Sequence, residues 1–261
     1  MKAFFIALAV FISLHAMAQT DSLPAAVYSI NKSTPKKMGV VEKRQILSGK
    51  TLDLKKFEVY TLTLPAGKKY NPPAGDSQFE QLIVVKSGTV KLNLKDSSKT
   101  VGPGSLALVL AGDKITFENT SSEPTSWFVL NFLSKNENIQ RGHDAGPSFI
   151  KDWNSLKVSK SPKGETRMVY DRPTTMFERF DVHATVLNNG FNSHEPHIHR
   201  AEELILMLNG NSQFQVAQDK VHADTGDAVF MASKVLHASQ NVGGTAPCGY
   251  YAIQWHNLKT D

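Results

Sequence analysis

Residues 194 to 203, HEPHIHRAEE, place His194, His197, His199, Glu202 and Glu203 within one short stretch, and the apolar run LILML follows directly. Imidazole nitrogens and carboxylate oxygens at this density suit two kinds of chemistry: holding a metal ion, or moving protons. Cys248 is the single cysteine of the chain, so a thiolate zinc knuckle is excluded and any metal must take nitrogen and oxygen ligands. Positions 197, 199 and 203 share parity, so on a strand, or on one whose bulge preserves register, they face the same side of a sheet. Glu202, of opposite parity, is expected to face solvent. His194, beside the cluster, is a candidate catalytic general base. His183 and His256 fall on neighbouring strand-like segments and read as packed or exposed residues, His222 falls in a turn, His143 in a linker, and His15 in a leader.

The elements that must position this cluster are strands. FEVYTLTL, EQLIVVKSGTVKLNL, SLALVL, DKITFEN and SWFVLNFL form a first series between residues 57 and 133. FERFDVHATVL, EELILMLNGNSQFQV, DAVFMA, VLHASQNV and GYYAIQWHN form a second between 177 and 257. Each segment is short, rich in β-branched and aromatic residues, and bounded by Gly, Pro, Asn or Ser, which is the pattern of an all-β protein. The two series read as copies: Gly88 to Asn119 and Gly210 to Asn241 enclose equal intervals, as an internal duplication would leave them.

Length and composition agree. The 261 residues are 41% hydrophobic and 20% charged, the profile of a globular chain with room for one large or two modest cores. Residues 1–18 read as a signal peptide, with Lys2, an apolar run from Ala3 to Leu14, and a small-residue cleavage pattern at Ala16–Ala18, which predicts a periplasmic or secreted protein. The apolar run is shorter than a bilayer requires, so no membrane anchor is expected. The formal charge of +5 includes Lys2 and is spread without a basic stripe, so nucleic acid is not an expected partner. The expected division is a signal peptide at 1–18, an N-terminal arm at 19–40, a first barrel at 41–133, a linker with one short helix at 134–165 and a second barrel at 166–261. The arm is expected either to swap onto a neighbouring molecule or to act as a disordered tether.

The motifs resemble those of the cupin superfamily. Its first motif matches His197-x-His199-x3-Glu203-x6-Gly210, with Gly190 upstream. Its second matches Gly226 through His237-x3-Asn241, with Ala232 and Lys234 where the family usually carries proline and glycine. The resemblance spans most of the chain and implies a bicupin, two tandem jelly-roll (double-stranded β-helix) barrels. It implies a metal-binding set of His197, His199, Glu203 and His237, with His237 brought in from a separate strand as a rolled barrel allows. Such a set suits one divalent transition metal, Mn, Fe, Ni, Cu or Zn, better than calcium or magnesium. Superimposing the repeats puts Gly75, Ser77, Gln81 and Ile115 at the four ligand positions of the first barrel, which is therefore expected to be degenerate and to serve a structural role.

The fold and ligand set do not choose among the reactions of this superfamily. The layout is similar to that of ureidoglycine aminohydrolases, whereas three histidines and a glutamate lie nearer the oxalate decarboxylase, germin and dioxygenase pattern. An oxygenase- or decarboxylase-type enzyme acting on a small oxygen-rich substrate is the leading expectation. A non-catalytic sugar or sugar-acid binding module and an aminohydrolase- or isomerase-type enzyme are the alternatives. Arg179, Gln254 and Trp255 are candidate substrate-binding residues, with Arg200, like Arg179, a candidate for a substrate carboxylate and Arg167 and Lys234 more remote ones, and the inward-facing set of the GYYAIQWHN strand is left open. A monomer and a homodimer are both compatible with two barrels in one chain.

Overall fold

The computed structural model describes residues 22–242 and 246–257, so the signal-peptide reading lies outside the described residues. No helix among the described residues is long and apolar enough to cross a membrane.

Strands dominate, arranged as two copies of one plan. A seven-stranded antiparallel sheet orders Phe149–Lys151, Leu106–Val109, Glu80–Ser87, Thr125–Ser134, Leu54–Leu64, Val41–Gly49 and Lys36–Met38. The second orders Ala26–Tyr28, Ala228–Met231, Glu202–Asn209, Cys248–His256, Arg179–Leu187, Gly164–Arg172 and Val158–Ser161. A small sheet closes each barrel: Lys69–Tyr70, Thr116–Glu118, Val90–Asn93 and Ser98–Val101 in the first, Asp219–Asp224, Asn211–Val216 and His237–Gln240 in the second.

The edge strands are exchanged. Ala26–Tyr28, from the segment expected to swap outward or hang free, pairs with Ala228–Phe230 of the same chain. Phe149–Lys151, from the segment read as linker, pairs with Leu106–Leu108 of the first barrel. That segment holds the expected short helix, Ile139–Ala145, and also the strand Val158–Ser161. Both exchanges cover strand edges that would otherwise present unpaired backbone groups.

Continuous apolar runs such as LIVV and LILML are explained by burial on both sheet faces. In the first barrel Leu82 and Val84 face the second barrel, while Ile83 and Val85 face the first barrel's own interior. In the second, Leu204 and Leu206 face the shared core, while Ile205 and Met207 line the interior. The shared core is aromatic: Phe57 stacks on Phe132 with centroids 5.1 Å apart, and Trp255 lies 5.2 and 5.5 Å from them.

The duplication extends to single hydrogen bonds. Asn119 Nδ2 donates to the carbonyls of Leu64 and Glu123, and Asn241 Nδ2 to those of Leu187 and Ala246. Gly88 and Gly210 both turn with φ of 71°, a conformation in which glycine meets no Cβ penalty. The structural counterpart of Gly226 is Gly104, whose amide reaches Val85 O as that of Gly226 reaches Met207 O, each at 2.9 Å.

Candidate metal centre

The strand at the cluster begins at Glu202, so His197 and His199 stand on the loop ahead of it. Their backbone is nevertheless fixed. His197 and His237 exchange N–H···O bonds of 3.1 and 3.0 Å, and Lys234 N donates to His199 O at 2.8 Å. This short ladder brings two histidines of one segment against one from another, and Glu203 enters from the first strand position facing inward.

The ligand atoms of His197, His199 and His237 lie within 4.8 Å of one another. Glu203 Oε2 lies 3.3 Å from His199 Nε2 and 3.2 Å from His237 Nε2. The orientation of two rings is set by backbone carbonyls: His199 Nδ1 meets Ala201 O at 2.9 Å and His237 Nδ1 meets Val235 O at 2.8 Å. A carbonyl only accepts, so each Nδ1 carries a proton and Nε2 is the atom each ring turns inward, the one that would ligate a metal once it gives up its own proton. Both Nε2 atoms, and Nδ1 of His197, are buried without a well-aligned hydrogen-bond partner. Buried polar atoms are rarely left so. These converging nitrogens and one carboxylate fit a divalent transition metal by number, type and direction.

Charge reinforces the arrangement. Burial would raise the Glu203 carboxyl, but the His199 and His237 rings pull it well below the ordinary carboxylate range. Burial would lower His237, and contact with Glu203 and Val235 O raises it instead. His197 is lowered by burial and by the other rings of the cluster.

The cluster opens into a cavity of about 280 Å³ whose lining includes His183, His194, Ser239, Tyr250 and Gln254. His194 is exposed on its wall, its ring edge-on to His197 with centroids 4.3 Å apart. Ser193, Ser239 and Tyr250 form a hydroxyl chain with links of 2.7 and 2.9 Å, and burial pushes the Tyr250 phenol up to about 12. His183 binds Asp181 through Nδ1 at 3.0 Å; burial would lower its pKa, and Asp181 raises it above the ordinary value. The sequence did not single out Tyr250, Ser239 or His183 for the site, although the alternation with Gln254 and His237 carried the signal.

Several expected roles are corrected. Gln254 lines the cavity, but Trp255, one residue on, points the other way: it is wholly buried between the barrels and donates Nε1–H to Glu202 at 3.2 Å. Arg179 is absent from the lining and forks onto Asp171 and Asp181 at 3.0 Å. Arg200 grips Asp53 of the first barrel, and Arg167 pairs with Glu165 and lies over Trp153. Glu202 is 1% exposed rather than solvent-facing, because its side of the sheet is covered by the other barrel.

The matching region of the first barrel keeps the scaffold without the donors. Gly112 N donates to Ser77 O at 2.8 Å, as Lys234 N does to His199 O. Gln81 instead donates to Asn131 at 2.8 Å, and Ile115 is buried where His237 stands in the second barrel.

Comparison with known proteins agrees with this architecture. A family model described as "Cupin domain" matches residues 184–254. No curated protein sequence matches the chain. Among solved structures, AerE from Microcystis aeruginosa is 17% identical, with a TM-score of 0.65 over 86% of this chain and 97% of that one. A putative glyoxylate-induced protein from Pseudomonas aeruginosa is 17% identical, with a TM-score of 0.70 over 87% and 86%. The oxalate decarboxylase of Lactobacillus farciminis, in a formate complex, is 11% identical, with a TM-score of 0.68 over 91% and 88%. At these identities the likeness is one of fold. The domain match thus places a cupin domain at residues 184–254, within the second barrel, and the paired jelly-roll barrels have the cupin fold.

Proposed function

We propose that the chain is an exported metal-dependent enzyme whose second barrel holds one divalent transition metal on His197, His199, Glu203 and His237. The observation that carries this reading is the convergence of the His197, His199 and His237 ligand atoms within 4.8 Å of one another, with Glu203 against two of the rings, at a cavity. A metal held there would supply Lewis-acid or redox chemistry. The protein's own groups would do the rest. The Ser193–Ser239–Tyr250 chain offers hydroxyls to a polar substrate, Gln254 an amide, and Ile205, Phe214 and Met231 an apolar wall. His194 and the Asp181-oriented His183 can exchange protons at the cavity wall. This suits a small oxygen-rich substrate undergoing oxygenation or decarboxylation. The first barrel, lacking the donor set, is assigned a supporting role.

Bound metal measured by mass spectrometry on residues 19–261, beside His197→Ala and Ile115→Ala variants, tests the site. One near-stoichiometric metal, lost in His197→Ala and kept in Ile115→Ala, is expected. A wild type without metal after reconstitution would overturn it. Small carboxylates, catechols and uronates followed by oxygen uptake and carbon dioxide release then test the reaction. If the fully metallated protein turns over none of them and a sugar acid only raises its melting temperature, the chain is a binding module.

A further inference from the structure

The first barrel reaches within one residue of two of the four proposed ligands. Arg200, next to His199, forks onto Asp53 with bonds of 3.1 and 2.8 Å, and both side chains are largely buried. Glu202, next to Glu203, receives Thr51 Oγ1 at 2.6 Å, Leu52 N at 3.0 Å and Asp53 N at 3.1 Å. The grip is itself braced: Leu54 N donates to Thr51 Oγ1, and Asn257 Nδ2 to Asp53 O. Between the two held residues lies Ala201, whose carbonyl orients the His199 ring. Arg200 and Glu202, the two residues of opposite parity between His199 and Glu203, are thus both tied to the first barrel.

We infer that Thr51 and Asp53 are positioning residues for the metal centre, and that the loop carrying them holds His199 and Glu203 at coordinating distance from across the domain boundary. Such an arrangement gives the donor-poor barrel a function: the backbone of His197 and His199 is held by His237 and Lys234, and Asp53 and Thr51 add a second hold from the first barrel through Arg200 and Glu202. Groups that orient metal ligands act on affinity even when they never touch the ion.

The fold supplies its own control. The reciprocal contact runs from the second barrel into the first, where Glu80 accepts from Thr175 Oγ1 and Met176 N. Glu80 is followed by Gln81, which stands where Glu203 stands in the second barrel. Loosening this contact disturbs the same domain boundary at the position with no proposed ligand.

The inference rests on the metal-site reading, and the experiment separates the two. Dissociation constants for Mn(II) and Co(II) are measured by chelator competition on wild type, Thr51→Val, Asp53→Asn, the double variant and Thr175→Val. The Co(II) absorption spectrum and the melting temperature of the metal-free proteins are recorded alongside. The expected result is affinity weakened about 10- to 100-fold in the double variant with an altered spectrum, smaller losses in the singles, and wild-type affinity and spectrum in Thr175→Val despite a lowered melting temperature. If the double variant does not fold, the two single variants give the same comparison. Wild-type affinity and spectrum in the 51 and 53 variants, or an equal loss in Thr175→Val, would overturn the positioning role alone. A wild type that binds neither ion would overturn the metal site itself, and with it this inference.

Discussion

Replacing His237 by glutamine removes one proposed ligand while keeping volume and the backbone pairing with His197. Structural four-ligand zinc sites bind with about 10–16 kcal/mol, so one ligand of four carries about 2.5–4 kcal/mol, or about 10²- to 10³-fold in affinity. The assay is the metal-induced shift in melting temperature. At a free metal concentration 100 times the wild-type dissociation constant, binding stabilises wild type by about 2.7 kcal/mol; a variant bound 100-fold more weakly gains about 0.4 kcal/mol. For a chain of this size those gains correspond to about 5–11 °C and about 1–2 °C. The metal-free variant should also melt below the metal-free wild type. His237 is 3% exposed and Glu203 5%, so the substitution leaves a buried carboxylate with one charged neighbour fewer. An undiminished metal shift in His237→Gln, where wild type responds, would refute the ligand assignment.

Three further outcomes follow from the same geometry. Burial raises the Glu80 carboxyl, and its Oε1 has no partner, so the folded state retains the proton to higher pH than the unfolded one and stability falls as pH rises from the ordinary carboxylate value through the raised one. Glu80→Gln should therefore melt above wild type at pH 8 and show a shallower decline between pH 5 and 8, with Glu202 sustaining a remainder of the same sign; an unchanged slope in a pH series of melting curves would count against it. Lys234 holds φ of 61°, where a side chain is disfavoured, so Lys234→Gly should raise stability by about 0.5–1 kcal/mol, seen as a melting temperature about 1–4 °C higher. Trp255→Ala should cost about 3–5 kcal/mol in denaturant unfolding, because it opens the shared aromatic core and removes a donor from Glu202.

How much of this was readable in the sequence depended on whether a side chain's surroundings come from its own strand or from the other barrel. The clustering of His197, His199, Glu203 and His237, the duplication and the strand series were legible because glycine turns, asparagine clamps and histidine spacing are local. The parity of the Cys248–His256 strand was not: its sheet is buried on both faces, so Tyr250, Ala252 and Gln254 read no differently from Tyr251, Ile253 and Trp255. Glu202 misled for the same reason. A strand glutamate beside a candidate ligand is ordinarily the wet one; here the loop from residue 51 to 53 makes burial tolerable, with Trp255 Nε1, by supplying a hydroxyl and two amide donors from about 150 positions away in the chain. Arg179 gave another error: its guanidinium is taken up by the carboxylates of Asp171 and Asp181 and does not line the cavity. The residues the sequence misplaced are thus concentrated at the domain boundary. That boundary carries two reciprocal glutamate contacts, one beside a proposed ligand and one beside Gln81. A duplication in which one copy loses its donors while both keep the contact is what selection on the remaining centre would leave, if the contact serves that centre rather than the fold alone.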